Sequence, residues 1–298
     1  MATSLAHAAT WRGEDVALSD VERALANLRC EHLHEDEGPD LRTSVLTHLA
    51  WVPPVWREAA EAVLEGLGER HPSRTIGLFP DPESERDAID AEVAVEGFEV
   101  PGLERHVATE VVRLWLRNGR VLAPASIVLP LLIPDLPVFL RWRGEPPFSD
   151  EPFVQLADVA DRLVIDSGEW DDLERAAGQL VEAFELVIVS DIAWARTARW
   201  RAGIARLWPA IADARVLRVE GPHAESLLLH GWLRARLKRD LELDHAQAED
   251  LVAVALDDEP VEPEAPEPKS PSDLLSDQLE IFGRDRAYEE AIRALEHM

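Results

Sequence analysis

The sequence predicts an α/β fold of two strand-helix-strand layers or subdomains, followed by an acidic Pro-rich linker and a C-terminal helix. Three observations carry that expectation. Arg42–Val52 is a β-branched and apolar run that Pro53 and Pro54 terminate, a helical stretch extends from there to Arg70, and Ser73–Phe79 is a second strand-like run. A strand, a helix and a strand of these lengths fit a parallel crossover. The same alternation returns after Arg162, and 46% hydrophobic with 30% charged residues is the balance of a chain that buries a core.

Along the chain, Val16, Leu18, Val21, Leu25 and Leu28 recur first at helical spacing, with Ser19 and Asp20 available as caps. A charged connection, Glu31 to Asp40, leads to the Arg42–Val52 strand; Pro54 opens the next helix and His71-Pro72 stops it. Past the charged turn Asp81–Asp87, Ala88–Phe98 and Ala108–Leu116 alternate as two further strands. Val121–Leu140 imitates a membrane span, but four prolines and Asp135 interrupt it, so a short helix and the strand Leu136–Trp142 are expected instead.

Gly144-Glu145-Pro146-Pro147 marks a boundary, giving an N-terminal α/β domain over 1–146 and a second over 147–239. In the second, a helix near Phe153–Ala160, a strand Arg162–Ser167 and a helix Asp171–Phe184 are expected. A helix from Ser190-Asp191 to Leu207, a strand Arg215–Val219 and a helix His223–Lys238 complete it. Residues 240–268 hold eleven acidic residues and no Lys or Arg, so 240–271 reads as a solvated linker and 272–298 as a helical segment interrupted at Gly283.

Charge narrows the partners. With 58 acidic and 30 basic residues the formal net charge is −28, which disfavours nucleic acid and anionic membrane surfaces. A lone cysteine, Cys30, excludes an intrachain disulfide, and the first residues lack a basic, apolar leader, so a cytoplasmic location is expected.

The motifs of catalysis are missing. No GxGxxG follows a strand, and there is no Walker A loop, GxSxG elbow or HExxH. His32 and His34 would share a face of an extended segment as metal ligands do, but a polar connection is the favoured reading, and no metal or other cofactor is expected. Asp166 and Asp191 end or follow apolar strands, where α/β enzymes place carboxylates; helix capping is favoured over catalysis. No catalytic residue is assigned.

The densest information lies in Asp191–Arg201, DIAWARTARWR. On a helix Trp194, Ala198 and Arg201 lie near one face, and Arg196, Arg199 and Trp200 are within reach of each other. Arg141-Trp142-Arg143 repeats the mixture at a strand end. Either the Trp residues are core and the Arg residues offset surrounding acidity, or the two types form an interface.

In order along the chain, RTSVLTHL, HPSRTI, PLLIPDLPVFLRWRGEPP, ADRLVIDS, DIAWARTARWR, LLLHGWL and LLSDQLEIFGRDRAYEEAI resemble the OpcA family over about Arg42 to Ala294. The family assembles or allosterically activates glucose-6-phosphate dehydrogenase, the NADP-dependent first enzyme of the oxidative pentose phosphate pathway. The resemblance implies a non-catalytic partner of that dehydrogenase. It departs from the family at the Pro/Glu linker, where further strands are expected, and with one Cys it lacks an intramolecular thiol switch. Arg141, Trp142, Trp194, Arg196, Trp200 and Arg201 are the candidate partner contacts, since Trp and Arg truncations most often cost binding energy. The alternative is an α/β enzyme or sensor that binds an anionic metabolite through the Arg cluster beside Asp166 or Asp191.

Overall fold

The computed structural model describes residues 5–35, 44–67, 73–99, 106–264 and 269–296. It is mixed α/β, with an eight-stranded and a four-stranded sheet. The chain divides into two compact units, Met1–Leu163 and Val164–Met298.

The first unit opens with β1 (Leu5–Gly13), α1 (Leu18–Glu35), β2 (Leu46–Trp51), a 3-10 turn over Pro54–Trp56 and α2 (Arg57–Leu67). It continues with β3 (Ser73–Asp81), β4 (Ile89–Glu99), β5 (His106–Arg117), α3 (Pro124–Val128), β6 (Val138–Trp142), α4 (Glu151–Val159) and β7 (Arg162–Ile165) at the boundary. The strands lie in the order β1-β4-β5-β3-β2-β6-β7. The β2–α2–β3 crossover is parallel, with Leu46 opposite Ser73, and β2 also pairs parallel with β6, Thr47 opposite Val138. The order therefore reverses at β2, as in doubly wound sheets. Every residue of β2 and β6 is buried, which is why both read as apolar runs rather than as alternating strands. β4 and β5 pair antiparallel, as their alternation predicts.

α1 buries Val21, Ala24, Leu25 and Leu28, and Asp20 accepts the backbone N–H of Ala17 at its start. The helix runs through Glu35, so His32 and His34 do not lie on an extended segment. The extended premise of a metal site therefore fails. Asp36 to Asp40 of the charged connection and the His71-Pro72 stop lie outside the described residues. Among the described residues no His, Cys, Asp and Glu group is fit to hold a metal ion, and no helix is long and apolar enough to cross a membrane. The prolines of Val121–Leu140 act as expected: Pro124 opens the five-residue α3 and Pro130 lies in a 3-10 turn before β6.

The second unit holds α5 (Leu173–Ala183), β8 (Ile188–Asp191), α6 (Ile192–Arg196), α7 (Ala198–Arg206), β9 (Val216–Gly221) and α8 (His223–Leu237). Next come β10 (Glu242–Gln247), β11 (Ala253–Leu256), β12 (Glu259–Pro260), α9 (Pro271–Leu279) and α10 (Arg286–Glu296). Its four-stranded sheet has the order β10-β9-β11-β12. The expected single helix to Leu207 is instead the strand β8 and two helices. Thr197 parts them, its hydroxyl donating to the Trp194 carbonyl at 2.7 Å in competition with the helix.

The acidic stretch also departs from expectation. Residues 242–260 form strands, β10 running parallel to β9 and β11 antiparallel to it, where a solvated linker is expected. Val254 and Leu256 are buried and their neighbours project outward, so the acidic excess sits on the wet side of a real sheet. The terminal segment is equally built in. Tyr288, Ala291 and Ile292 of α10 are fully buried, and at Gly231 of α8 an added Cβ would stand 2.4 Å from the Ala291 carbonyl oxygen. Only glycine permits that approach of α8 to α10.

Candidate functional site

The strongest concentration of polar chemistry lies in the second unit, where β7 and β8 hand over to Asp166 and Asp191. Each carboxylate caps the turn or helix that begins just after it. Asp166 accepts the N–H of Gly168 at 3.1 Å, and Asp191 accepts that of Ala193 at 2.9 Å, starting α6. Capping leaves lone pairs over, and the chain uses them.

Asp191 is 1% exposed and takes three more donors: the Ser167 N–H at 3.0 Å, the Ser167 hydroxyl at 2.7 Å and the Tyr288 hydroxyl at 3.1 Å. Burial, and then the charge of Asp166, push its carboxyl up to about 6, against the pull of Ser167 and Arg196. Burial and the adjoining Asp191 raise Tyr288 well above its ordinary range, so it is the donor in that bond.

Arg196, on the last turn of α6, holds two carboxylates at once. Its Nη1 and Nη2 grip Asp166 at 3.0 and 2.6 Å, and its Nε donates to Glu225 of α8 at 2.5 Å. Burial opposes its charge, but Asp166 and Glu225 outweigh burial and raise its pKa. Gly168 makes room for this fork, since a Cβ there would meet Nη2 at 2.6 Å. The Glu225 side chain is 2% exposed, and its second oxygen has no hydrogen-bond partner among the described residues.

One turn on, the Arg201 guanidinium lies over the Trp194 ring, 3.4 Å from its centroid. The Trp194 indole donates to Asp285 at 2.7 Å, and Asp285 accepts the N–H groups of Ala287 and Tyr288 to start α10.

Chemically the arrangement is a closed tie. The Ser167 proton is committed to Asp191, the four donors there fill its lone pairs when it is ionised, and Arg196 spends its fork on internal anions. It joins the β8 end, α6, α8 and α10 into one block.

Of the residues singled out from sequence, the structure brings Trp194, Arg196 and Arg201 together here. Trp194 and Trp200 are buried, at 4% and 5% exposure, while Arg196 and Arg201 are partly exposed. Arg141 and Trp142 belong to β6 of the first unit, each 2% exposed. Trp142 stacks on Trp51 at 4.9 Å and meets Phe153 edge-on at 5.2 Å, and Arg141 donates to the Trp142 carbonyl. Sequence reasoning missed Glu225, Asp285 and Tyr288. An acid inside the apolar run of α8 and the single tyrosine of the chain were the available signals.

The family model described as the glucose-6-phosphate dehydrogenase subunit N-terminal domain, of OpcA type, matches residues 65–182, from the end of α2 to the end of α5. The resemblance to the OpcA family is borne out. Proteins described as the OxPP cycle protein OpcA are similar in three cyanobacteria. The Nostoc punctiforme protein is 26% identical over 187 residues, 59% of this chain and 40% of the relative. Those of Synechocystis and Synechococcus elongatus are 22% and 25% identical over 190 and 185 residues, 59% and 57% of this chain. The matches span about two fifths of each OpcA relative.

Proposed function

We propose that this OpcA-like chain is a non-catalytic partner that assembles or allosterically activates glucose-6-phosphate dehydrogenase. The observation that carries the reading is the match of residues 65–182 to a domain described as belonging to that dehydrogenase's subunit. The network around Asp191 supports it, because the Ser167 and Tyr288 hydroxyls are both spent on that carboxyl.

To activate, the chain must bind the active form of the dehydrogenase more tightly than the inactive one, since equal affinity for both shifts nothing. Arg196 and Arg201 are the proposed contacts that a partner reaches directly. Trp194 and Trp200, being buried, serve that contact by holding its shape, and Arg141 and Trp142, also buried, do the same for β6 of the first unit. The reading is tested by size-exclusion chromatography of this chain mixed with the dehydrogenase of the same organism. Co-elution, weakened by Arg201→Glu in a variant that keeps its fold, is the expected result; separate elution of two folded proteins contradicts it.

A further inference from the structure

Two guanidiniums of the second unit are treated in opposite ways. Arg196 ends on two carboxylates, whereas Arg201 has no carboxylate in ion-pair range among the described residues. The Arg201 Nε donates to the Thr197 hydroxyl at 3.0 Å and its Nη2 to the Trp194 carbonyl at 3.3 Å, both neutral acceptors. In a chain with 58 acidic residues against 30 basic ones, a half-buried cation that no carboxylate among the described residues contacts directly runs against composition.

The side chain is also immobilised. Its face rests on the Trp194 ring, and Asp285 holds the indole in turn. Burial draws the guanidinium down to about 10, and the charge of Asp285 offsets only part of that. Capping the end of α6 accounts for Nε and one hydrogen of Nη2. It leaves the Nη1 group and the adjoining Nη2 hydrogen, a fork of parallel N–H bonds that suits two oxygens of one anion.

We propose that the Nη1–Nη2 edge of Arg201 is a preformed binding site for a single oxyanion, the head of either a phosphate monoester or a carboxylate. The rotamer is fixed before the anion arrives, so little ordering cost remains at binding. The anion completes the charge compensation that Asp285 supplies only in part. The site lies on a guanidinium that the dehydrogenase reading also uses, but its titration needs no dehydrogenase, so each can fail alone.

The test is a titration of the full chain followed on its arginine Nε–H resonances by nuclear magnetic resonance. Inorganic phosphate and acetate are the two probes, with sodium chloride at matched ionic strength as the control. The Arg201 signal, assigned through bonds from its backbone, shifts saturably with a half-point at about millimolar concentration or below. Arg196 stays still, because its donors are taken. A response to phosphate at about tenfold lower concentration than to acetate assigns a phosphate ester, and the reverse order a carboxylate. An Arg201 signal that does not move, or moves equally with sodium chloride, overturns the proposal. Arg201→Lys, which keeps the charge but not the fork, weakens the anion's protection against heat about tenfold in concentration; should that variant not fold, the wild-type spectra decide alone.

Discussion

The hydroxyl of Tyr288 donates to Oδ2 of Asp191 across 97 positions of sequence. The contact ties α10 to the start of α6 through a carboxyl that Ser167 also holds. Tyr288→Phe keeps the ring against Phe184 and Trp194, 5.8 and 5.7 Å away, and removes only this bond. A loss of about 1–3 kcal/mol in urea unfolding is expected, the range for a hydrogen bond to a buried polar or charged group. A change near zero would show that the bond is not formed.

Asp191 gives stability a pH dependence of unusual sign. Its folded carboxyl titrates at about 6 against an ordinary 3.8, so folding favours its protonated form. That contribution is fully present below the ordinary value, declines as pH rises between the two, and is gone above about 6, an effect of up to about 3 kcal/mol. Glu110 and Asp90, whose carboxyls are lowered, act oppositely and only in more acid solution. The wild type should therefore lose stability relative to Asp191→Asn as pH goes from 4 to 7, by parallel denaturant titrations. A constant difference would contradict the assignment.

Arg196→Met should be among the costliest changes on a partly exposed side chain. It leaves the buried carboxylates of Asp166 and Glu225 without their cation, for which about 3 kcal/mol is the expected scale. Arg196→Lys restores the charge but cannot reproduce three directed bonds, so it should recover only part. Thermal unfolding of both variants gives the order; full recovery by Lys would reduce the network to simple charge.

Gly231→Ala tests the close approach of the C-terminal helix. The added Cβ would stand 2.4 Å from the Ala291 carbonyl and 3.0 Å from Leu295. A destabilisation of about 1–3 kcal/mol, with faster proteolysis of the C-terminal segment, is expected. Unchanged stability would mean that α10 shifts without cost.

Much of the fold is legible in the residues. β2, β3 and β6 announce themselves because strands buried on both faces read as mainly apolar, β-branched runs rather than as alternation, and Pro53-Pro54 closes β2. Asp191 is readable as a cap, a local matter of one residue before a helix. Its other partners are not, because Ser167 and Tyr288 reach it only in the fold. The fork of Arg196 on Glu225 and the Trp194–Asp285 bond are likewise long-range pairings, 29 and 91 positions apart. β8 is hidden because Ile188–Asp191 is four residues long and runs straight into a helix. The strands after Asp240 are hidden by their own acidity. An outward face in water tolerates any number of carboxylates, so a count of charges reads as linker where alternation reads as sheet.

The proposed action of this chain on glucose-6-phosphate dehydrogenase is measured most directly as the rate of NADPH formation by that enzyme from the same organism as this chain is titrated in. A saturable rise in rate or in apparent affinity for glucose-6-phosphate, with no activity of the chain alone, is the predicted result. A rate that stays flat across the titration, with both proteins folded and no complex formed, would contradict it.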